Sequence, residues 1–86
     1  MRILIADDDA TCRNLLSRIL TKWGYHVTVT SDGEAAWNEL EKQDPPPLAI
    51  LDWEMPGFSG VELCRRVQDR NSTHPPYLLL LTARED

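Results

Sequence analysis

The sequence predicts an α/β fold in which a doubly wound parallel sheet carries helices on both faces. Three observations support this prediction. Short apolar runs alternate with stretches whose apolar residues recur at helical spacing, which gives the order βαβαβαβ. The runs at 2–6 and 48–51 are apolar almost throughout, as expected for strands that are covered on both sides. Both runs end abruptly at an acidic residue, Asp7 in the first and Asp52 in the second.

The first strand and the first helix are predicted over residues 2–6 and 10–22. Between them lie three consecutive acids, Asp7, Asp8 and Asp9. The last of these acids is placed to cap the helix, because a carboxylate accepts hydrogen bonds from the free N–H groups of a first turn. Gly24 is placed to end the helix.

The second unit is predicted as a half-exposed edge strand and a shorter helix. Residues 25–30 alternate between apolar and polar side chains, which is typical of a strand with one solvated face. Ser31 and Glu34 have the spacing of a capping box, and the helix is expected to run through Leu40. The prolines at 45–47 then stop the helix and stiffen the connection to the next strand.

A turn and a third helix follow the central strand. Met55, Pro56 and Gly57 favour a tight turn, because proline presets its own φ and glycine tolerates a positive one. Ser59 and Glu62 form another capping box, which opens a helix to about residue 69. After a loop rich in polar residues and proline, residues 77–81 make the fourth strand.

Composition narrows the class of protein. A chain of 86 residues forms one domain at most, and its net charge of -5 disfavours non-specific binding to nucleic acid or to an anionic membrane. No apolar run reaches the ~20 residues of a membrane span, and the N-terminus does not resemble a signal peptide, so a cytoplasmic location is predicted. Cys12 and Cys64 lack the close spacing of a zinc site or redox pair, and both are predicted to be reduced core thiols.

Polar residues gather where the predicted strands end. Asp7, Asp8 and Asp52 follow the first and third strands, and Thr82 follows the fourth. In parallel sheets functional groups collect beyond the carboxyl ends of the strands, and converging carboxylates need a cation or protons between them. Mg²⁺ suits such oxygen ligands, and Asp52 could then attack a phosphoryl group. Acids at strand ends are also common as helix caps or solvated loop residues, which is the simpler alternative for the first triplet.

Three motifs, in this order along the chain, resemble the receiver domain of two-component response regulators. Residues 3–8, Ile-Leu-Ile-Ala-Asp-Asp, resemble the family's first strand and acidic pair. Residues 51–57, Leu-Asp-Trp-Glu-Met-Pro-Gly, resemble its phosphoacceptor loop, and residues 81–83, Leu-Thr-Ala, its switch threonine and the small residue that follows. The resemblance implies a flavodoxin-like sheet with strand order 2-1-3-4 for the strands present.

The resemblance also implies a role for each site residue. Asp52 would accept a phosphoryl group from the phosphohistidine of a sensor kinase or phosphotransfer protein, and an output domain or effector would respond. Asp8 would bind Mg²⁺ directly and Asp7 through water, with Asp52 and the backbone carbonyl of Glu54 as further ligands. Thr82 would turn inward to the phosphoryl group, and Ala83 would leave room for it.

The sequence also departs from the family pattern. No counterpart is found for the fifth strand and helix or for the lysine that pairs with the phosphoryl group, so residues 1–86 are expected to be a C-terminally truncated receiver domain. The strand at 77–81 would then be an open apolar edge, and such edges recruit other strands. Self-association through this strand, or pairing with a partner segment, is therefore predicted.

Three residues that flank the predicted acceptor are expected to modulate its phosphorylation. Glu54 and Arg84 lie two residues after Asp52 and Thr82, and their opposite charges favour a pair across the site, although two independent solvated charges are an equal alternative. Trp53 is expected to shield the acceptor. Trp23 and Trp37 are predicted to be helix-packing residues.

Two other functions compete with the phosphoacceptor. A metal-dependent phosphohydrolase would use Asp52 as nucleophile and Glu54 as general acid, but the tight turn and the short chain leave little room for a substrate pocket. A pseudo-receiver would act only as an interaction or dimerisation module, which the missing lysine favours. Because Asp7, Asp8, Asp52 and Thr82 are all present, the leading prediction is a phosphoacceptor module and not a turnover enzyme.

Overall fold

A computed structural model of the chain describes residues 1–81 and has the predicted doubly wound α/β architecture. Four parallel strands form one sheet in the order β2-β1-β3-β4, which confirms the predicted strand order. The strands are β1 (Arg2–Ala6), β2 (His26–Thr30), β3 (Leu48–Asp52) and β4 (Tyr77–Leu81). The helices are α1 (Ala10–Lys22), α2 (Gly33–Leu40) and α3 (Gly60–Asp69).

Each face of the sheet has its own apolar core. On one face, α2 and α3 pack against β1 and β3, and Leu40 and Leu63 are fully buried there against Leu4 and Leu51. On the other face, Leu20 of α1 packs with the alternate β1 side chains, Ile3 and Ile5 among them. Each fully buried leucine contributes about 1.5–3 kcal/mol through the removal of apolar surface from water. The two central strands are therefore the most firmly held part of the fold.

The register of the two central strands decides which residues emerge together at the edge of the sheet. Ala6 of β1 is the partner of Leu51 of β3. Because parallel strands advance together, Asp7 and Asp52 leave the sheet side by side. The same edge receives the end of β4, where Leu81 is the partner of Asp52.

Two of the three predicted helix caps are confirmed and one is wrong. The Asp9 carboxylate accepts from the Thr11 N–H at 3.0 Å, and the Ser59 hydroxyl accepts from the Glu62 N–H at 3.1 Å. Helix α2, however, is capped by Asp32 and not by Ser31.

The Asp32 carboxylate accepts from the Ala35 N–H at 2.7 Å. Helix α2 begins at Gly33, whose own N–H donates to the Pro56 carbonyl at 2.8 Å. This contact with the loop after β3 places Asp32 at the cap position, so Glu34 is one residue too early to close the predicted box.

Three other local predictions need correction. Trp37 is half-buried against the core, as predicted, but Trp23 is 69% exposed and does not pack as a core residue. It is the C-cap residue of α1. Helix α2 ends at Leu40, several residues before the prolines that were expected to stop it. Strand β2 begins at His26, one residue later than predicted.

Strand β4 forms an edge of the sheet within residues 1–81. It pairs with β3, and no second strand of the described chain lies beside it. Its side chains are poorly covered: Tyr77 is 76% exposed, Leu79 47% and Leu81 41%. This part of the chain therefore has the open apolar edge that the sequence predicts. None of the helices in residues 1–81 has the length and apolar character needed to cross a membrane.

Candidate functional site

Three carboxylates meet at the carboxyl edge of the sheet. Asp7, Asp8 and Asp52 each offer one oxygen, and these oxygens all lie within 4.8 Å of one another. Asp7 is buried, Asp52 is half-buried and Asp8 is exposed, so the cluster opens to solvent on one side. The structure thus brings together the three acids that the sequence places at the ends of two different strands.

The N–H, the carboxylate and the carbonyl of Asp7 each make a hydrogen bond. Its N–H donates to the Thr30 carbonyl at 3.2 Å, and its carboxylate accepts from the Asp9 N–H at 2.9 Å. Its own carbonyl accepts from the Arg13 guanidinium at 2.9 Å. The Thr30 hydroxyl in turn donates to the Ile5 carbonyl at 2.9 Å, which ties β2 to the end of β1. The buried acid therefore has a fixed position.

The surroundings of Asp52 disfavour its ionised form. Burial raises the pKa of its carboxyl above the ordinary value, and the charge of Asp7 raises it further. A hydrogen bond and repulsion from Asp8 act in the same direction, whereas the backbone N–H of Glu54 lowers the pKa by donating to the carboxylate. Repulsion of this kind between neighbouring acids is relieved by a bound cation.

The Cys12 thiol lies at the rim of the same cluster. A hydrogen bond to the Asp7 carboxylate, burial, and the charges of Asp7, Asp9 and Asp52 raise the pKa of Cys12 to about 11. Cys12 and Cys64 are both free thiols and both half-buried, in agreement with the predicted reduced state. Because a thiol is nucleophilic as the thiolate, the raised pKa makes Cys12 less reactive near neutral pH than an ordinary cysteine.

The loop after β3 is fixed to two neighbouring elements. Its first residue, Trp53, donates its N–H to the Leu81 carbonyl at 2.8 Å and accepts at its own carbonyl from the Gly60 N–H at 3.0 Å. A Cβ on Gly60 would lie 2.6 Å from the main-chain oxygen of Asp52, so only glycine fits where α3 begins. At the turn itself Gly57 has φ +82°, as its position after Pro56 predicts.

The far side of this loop rests on the start of α2. A Cβ on Gly33 would collide with the main chain of Phe58, so the loop and the helix approach as closely as a glycine allows. The Phe58 ring then lies under the Arg66 guanidinium, 3.9 Å from it. These contacts hold in place the part of the loop between Trp53 and α3.

The remaining predicted site residues divide into two groups. Glu54 and Trp53 are exposed beside Asp52, with Trp53 48% exposed. Thr82, Ala83 and Arg84 lie outside the described residues, and so does the predicted pairing of Arg84 with Glu54. Arg13 was missed in the sequence, because one arginine in a helical pattern gives no sign that it reaches back to a strand end.

Comparison with known proteins agrees with this geometry. The sequence model of the response regulator receiver domain matches residues 3–86. The chain belongs to that family. It is 38% identical over 84 residues to the response regulator RppA of Synechocystis, which covers 96% of this chain and 35% of RppA. It is also 38% identical over 82 residues to the cyclic-nucleotide phosphodiesterase regA of Dictyostelium discoideum, covering 93% of this chain and 10% of regA.

A solved receiver structure has the same fold. The response regulator TrrA of Thermotoga maritima, crystallised in complex with Mg²⁺ and BeF, is 34% identical and superposes with a TM-score of 0.84 over 98% of this chain and 70% of its own. The receiver domain is a phosphoacceptor module of two-component signalling, and this is the functional class of the chain. The chain spans about a third of RppA and a tenth of regA, and these two relatives differ in overall size and activity.

The acidic cluster fits a hard divalent cation. Its donors are carboxylate oxygens on two strand ends, and its open side faces solvent, where water ligands can complete an octahedron. Within residues 1–81 the mutually close donors at this site are all carboxylates, so oxygen ligands dominate it. The arrangement therefore suits Mg²⁺ better than Zn²⁺.

Proposed function

We propose that Asp52 is the residue that accepts the phosphoryl group, and that residues 1–86 act as one receiver domain. The observation that carries this proposal is the meeting of Asp52 with Asp7 and Asp8 within 4.8 Å at the open edge of the sheet. The donor is a phosphohistidine of a sensor kinase or phosphotransfer protein, and an output domain or effector reads the result. This exchange takes place in the cytoplasm.

The phosphoryl group is transferred by a displacement reaction at phosphorus. A carboxylate oxygen of Asp52 attacks the phosphorus atom, the N–P bond of the phosphohistidine breaks, and the released imidazole takes up a proton from water. The product is an aspartyl phosphate on Asp52. The chain assists only its own phosphorylation and dephosphorylation, so it is not a turnover enzyme.

Four residues hold the cation in this proposal. Asp8 and Asp52 bind Mg²⁺ directly, Asp7 binds it through water, and the backbone carbonyl of Glu54 adds a ligand. When bound, Mg²⁺ neutralises the charge that develops on the phosphoryl oxygens. The buried and firmly held Asp7 sets the position of the site, whereas the exposed Asp8 faces the incoming donor.

The residues after β4 complete the proposal. Thr82 binds a phosphoryl oxygen and Ala83 leaves room for it, as in the family pattern. Glu54, Arg84 and Trp53 flank the acceptor and modulate the lifetime of its phosphorylated state. The hydrogen bond between Trp53 and Leu81 supports this part, because it ties the acceptor loop to the residue just before Thr82.

Phosphorylation by a small donor tests the acceptor directly. The chain is incubated with acetyl phosphate and Mg²⁺, and intact mass spectrometry is expected to show the gain of one phosphoryl group. Asp52→Asn should remove the gain. Asp9→Asn is the matched control, because it changes an acid of the same cluster region that serves as a helix cap, and asparagine caps equally well.

The outcomes separate this proposal from its rivals. A phosphorylated Asp52→Asn variant would show that another residue is the acceptor. No gain of mass with either the unaltered chain or Asp9→Asn would favour a pseudo-receiver that acts as an interaction module. Repeated hydrolysis of a generic phosphate ester would favour the phosphohydrolase.

We also propose that the chain self-associates through β4. Within residues 1–81 this strand has one free edge, and its side chains at Tyr77, Leu79 and Leu81 are largely exposed. Unpaired edges with apolar side chains pair with other strands. Sedimentation over a range of concentrations should show a reversible increase in mass, and Leu79→Lys should abolish it. A compact monomer at every concentration would contradict this proposal.

A further inference from the structure

We infer that Arg13 is a positioning residue for the acidic cluster, acting through the main chain of Asp7; this inference rests on the proposed function of that cluster. The guanidinium of Arg13 donates to the Asp7 carbonyl at 2.9 Å. The contact joins the second turn of α1 to the point where β1 ends. It fixes the residue that supplies the buried carboxylate of the site.

The contact is well placed to control the geometry of Asp7. The N–H of Asp7 is held by Thr30 and its carboxylate by the Asp9 N–H, so the carbonyl is the remaining polar group of this residue. A charged donor to a carbonyl makes a stronger hydrogen bond than a neutral one. With Arg13 in place, all three polar groups of Asp7 are fixed, and the carboxylate keeps one orientation toward Asp8 and Asp52.

A positioning role and a purely electrostatic role predict opposite effects on cation binding. A positive charge beside three carboxylates repels Mg²⁺ and partly replaces it, so removal of that charge alone would strengthen Mg²⁺ binding. Loss of a positioning contact weakens Mg²⁺ binding instead, because the ligands become less ordered. The sign of the change therefore decides between the two roles.

The helix supplies a matched control. Arg18 lies on α1 and is exposed, five residues after Arg13. Arg13→Met and Arg18→Met remove the same charge from the same helix and leave side chains of the same kind. Arg13→Lys keeps the charge and a donor on a shorter, non-planar head group.

The first measurement is Mg²⁺ affinity, obtained from the rise in melting temperature with added MgCl₂. Arg13→Met is expected to weaken binding by about tenfold, at the lower end of the range for residues that orient metal ligands. Arg13→Lys should recover part of the affinity. Arg18→Met should bind as the unaltered chain does.

The second measurement needs no metal. The Asp9 N–H donates to the Asp7 carboxylate, so its hydrogen exchange reports how well Asp7 is held. In the metal-free Arg13→Met variant this exchange is expected to accelerate by about tenfold relative to the amide of Ala36 in α2, which a global loss of stability would not produce.

Each result supports or overturns the inference. Tighter Mg²⁺ binding by Arg13→Met, or equal binding by Arg13→Met and Arg18→Met, overturns it and leaves the proposed function intact. Unchanged relative exchange at Asp9 overturns it as well. If the unaltered chain binds no Mg²⁺, the proposed function fails and the inference about its site fails with it. Weaker binding together with faster exchange at Asp9 establishes the positioning role.

Discussion

The main-chain N–H of Trp53 donates to the carbonyl of Leu81 at 2.8 Å. This bond continues the pairing of β3 with β4 for one residue beyond Asp52, whose strand partner is Leu81. The loop that follows the proposed acceptor is therefore connected to the end of the neighbouring strand through the main chain.

Trp53→Pro should expose the contribution of this bond. Proline has no N–H, so the variant is expected to lose about 1 kcal/mol or more of unfolding free energy relative to Trp53→Ala, which keeps the donor. Urea denaturation of the two variants measures the difference. Equal midpoints for proline and alanine would show that the bond contributes nothing to stability.

A pair of alanine variants tests the cap of α2. Asp32→Ala removes the carboxylate that accepts from the Ala35 N–H and should cost about 1 kcal/mol, whereas Ser31→Ala should change stability little. Chemical denaturation of both variants gives the comparison. A larger loss of stability with Ser31→Ala would show that Ser31 caps α2, as the sequence predicts.

Much of the fold is readable from the sequence because it depends on local periodicity. Strands β1 and β4 and helix α1 have the predicted bounds, and β3 extends one residue beyond the predicted run 48–51, since their apolar patterns and flanking breakers are unambiguous. The meeting of Asp7 with Asp52 also follows from the sequence. Once both strands are buried and parallel, their carboxyl ends share one edge of the sheet, and only the register remains to be fixed.

The features that the sequence did not predict are set by contacts between different elements of the fold. Helix α2 begins at Gly33 because its N–H bonds to Pro56 and its bare Cα admits Phe58, two contacts that cross more than twenty positions of sequence. The contacts of Arg13 and Cys12 with Asp7 span only six and five positions, but they too join one element to another. No spacing rule predicts them, because they depend on how α1 is set against the sheet.

The two cysteines should differ in their dependence on the acidic cluster. The pKa of Cys12 is raised to about 11, first by its hydrogen bond to Asp7, whereas burial alone raises the pKa of Cys64. Asp7→Asn removes a charge and the strongest acceptor. Alkylation of Cys12 by iodoacetamide at about pH 8 should therefore accelerate, by on the order of tenfold for each unit that its pKa falls.

Peptide mapping after timed alkylation distinguishes the two thiols. The rate at Cys64 serves as an internal reference, since it reports any general loosening of the fold. Equal acceleration at Cys12 and Cys64 would show that Asp7→Asn acts through stability and not through the charge beside Cys12. Asp9→Asn should have a smaller effect, because Asp9 contributes only a weaker charge interaction.

Neutralising Asp52 should stabilise the metal-free protein. Burial and the neighbouring acids raise the pKa of Asp52 in the folded state, so the folded chain binds its proton more tightly than the unfolded chain does. The stability linked to this group is complete below the unfolded pKa of about 3.9 and is lost as pH rises through the higher folded pKa. At about pH 7 the ionised Asp52 carboxylate therefore destabilises the folded state.

Asp52→Asn removes that charge and keeps the shape of the side chain. With a chelator present at about pH 7, it is expected to raise the melting temperature by about 4 °C or more, the shift that ~1 kcal/mol produces in a domain of this size. The gain should shrink as pH falls through the folded pKa and vanish below the unfolded pKa, because Asp52 is then protonated in both states of the unaltered chain. Thermal melts across that pH range provide the measurement. A gain that is independent of pH would show that asparagine stabilises by packing or hydrogen bonding, and that the burial of the Asp52 charge and its repulsion by neighbouring acids do not limit the stability of the metal-free fold.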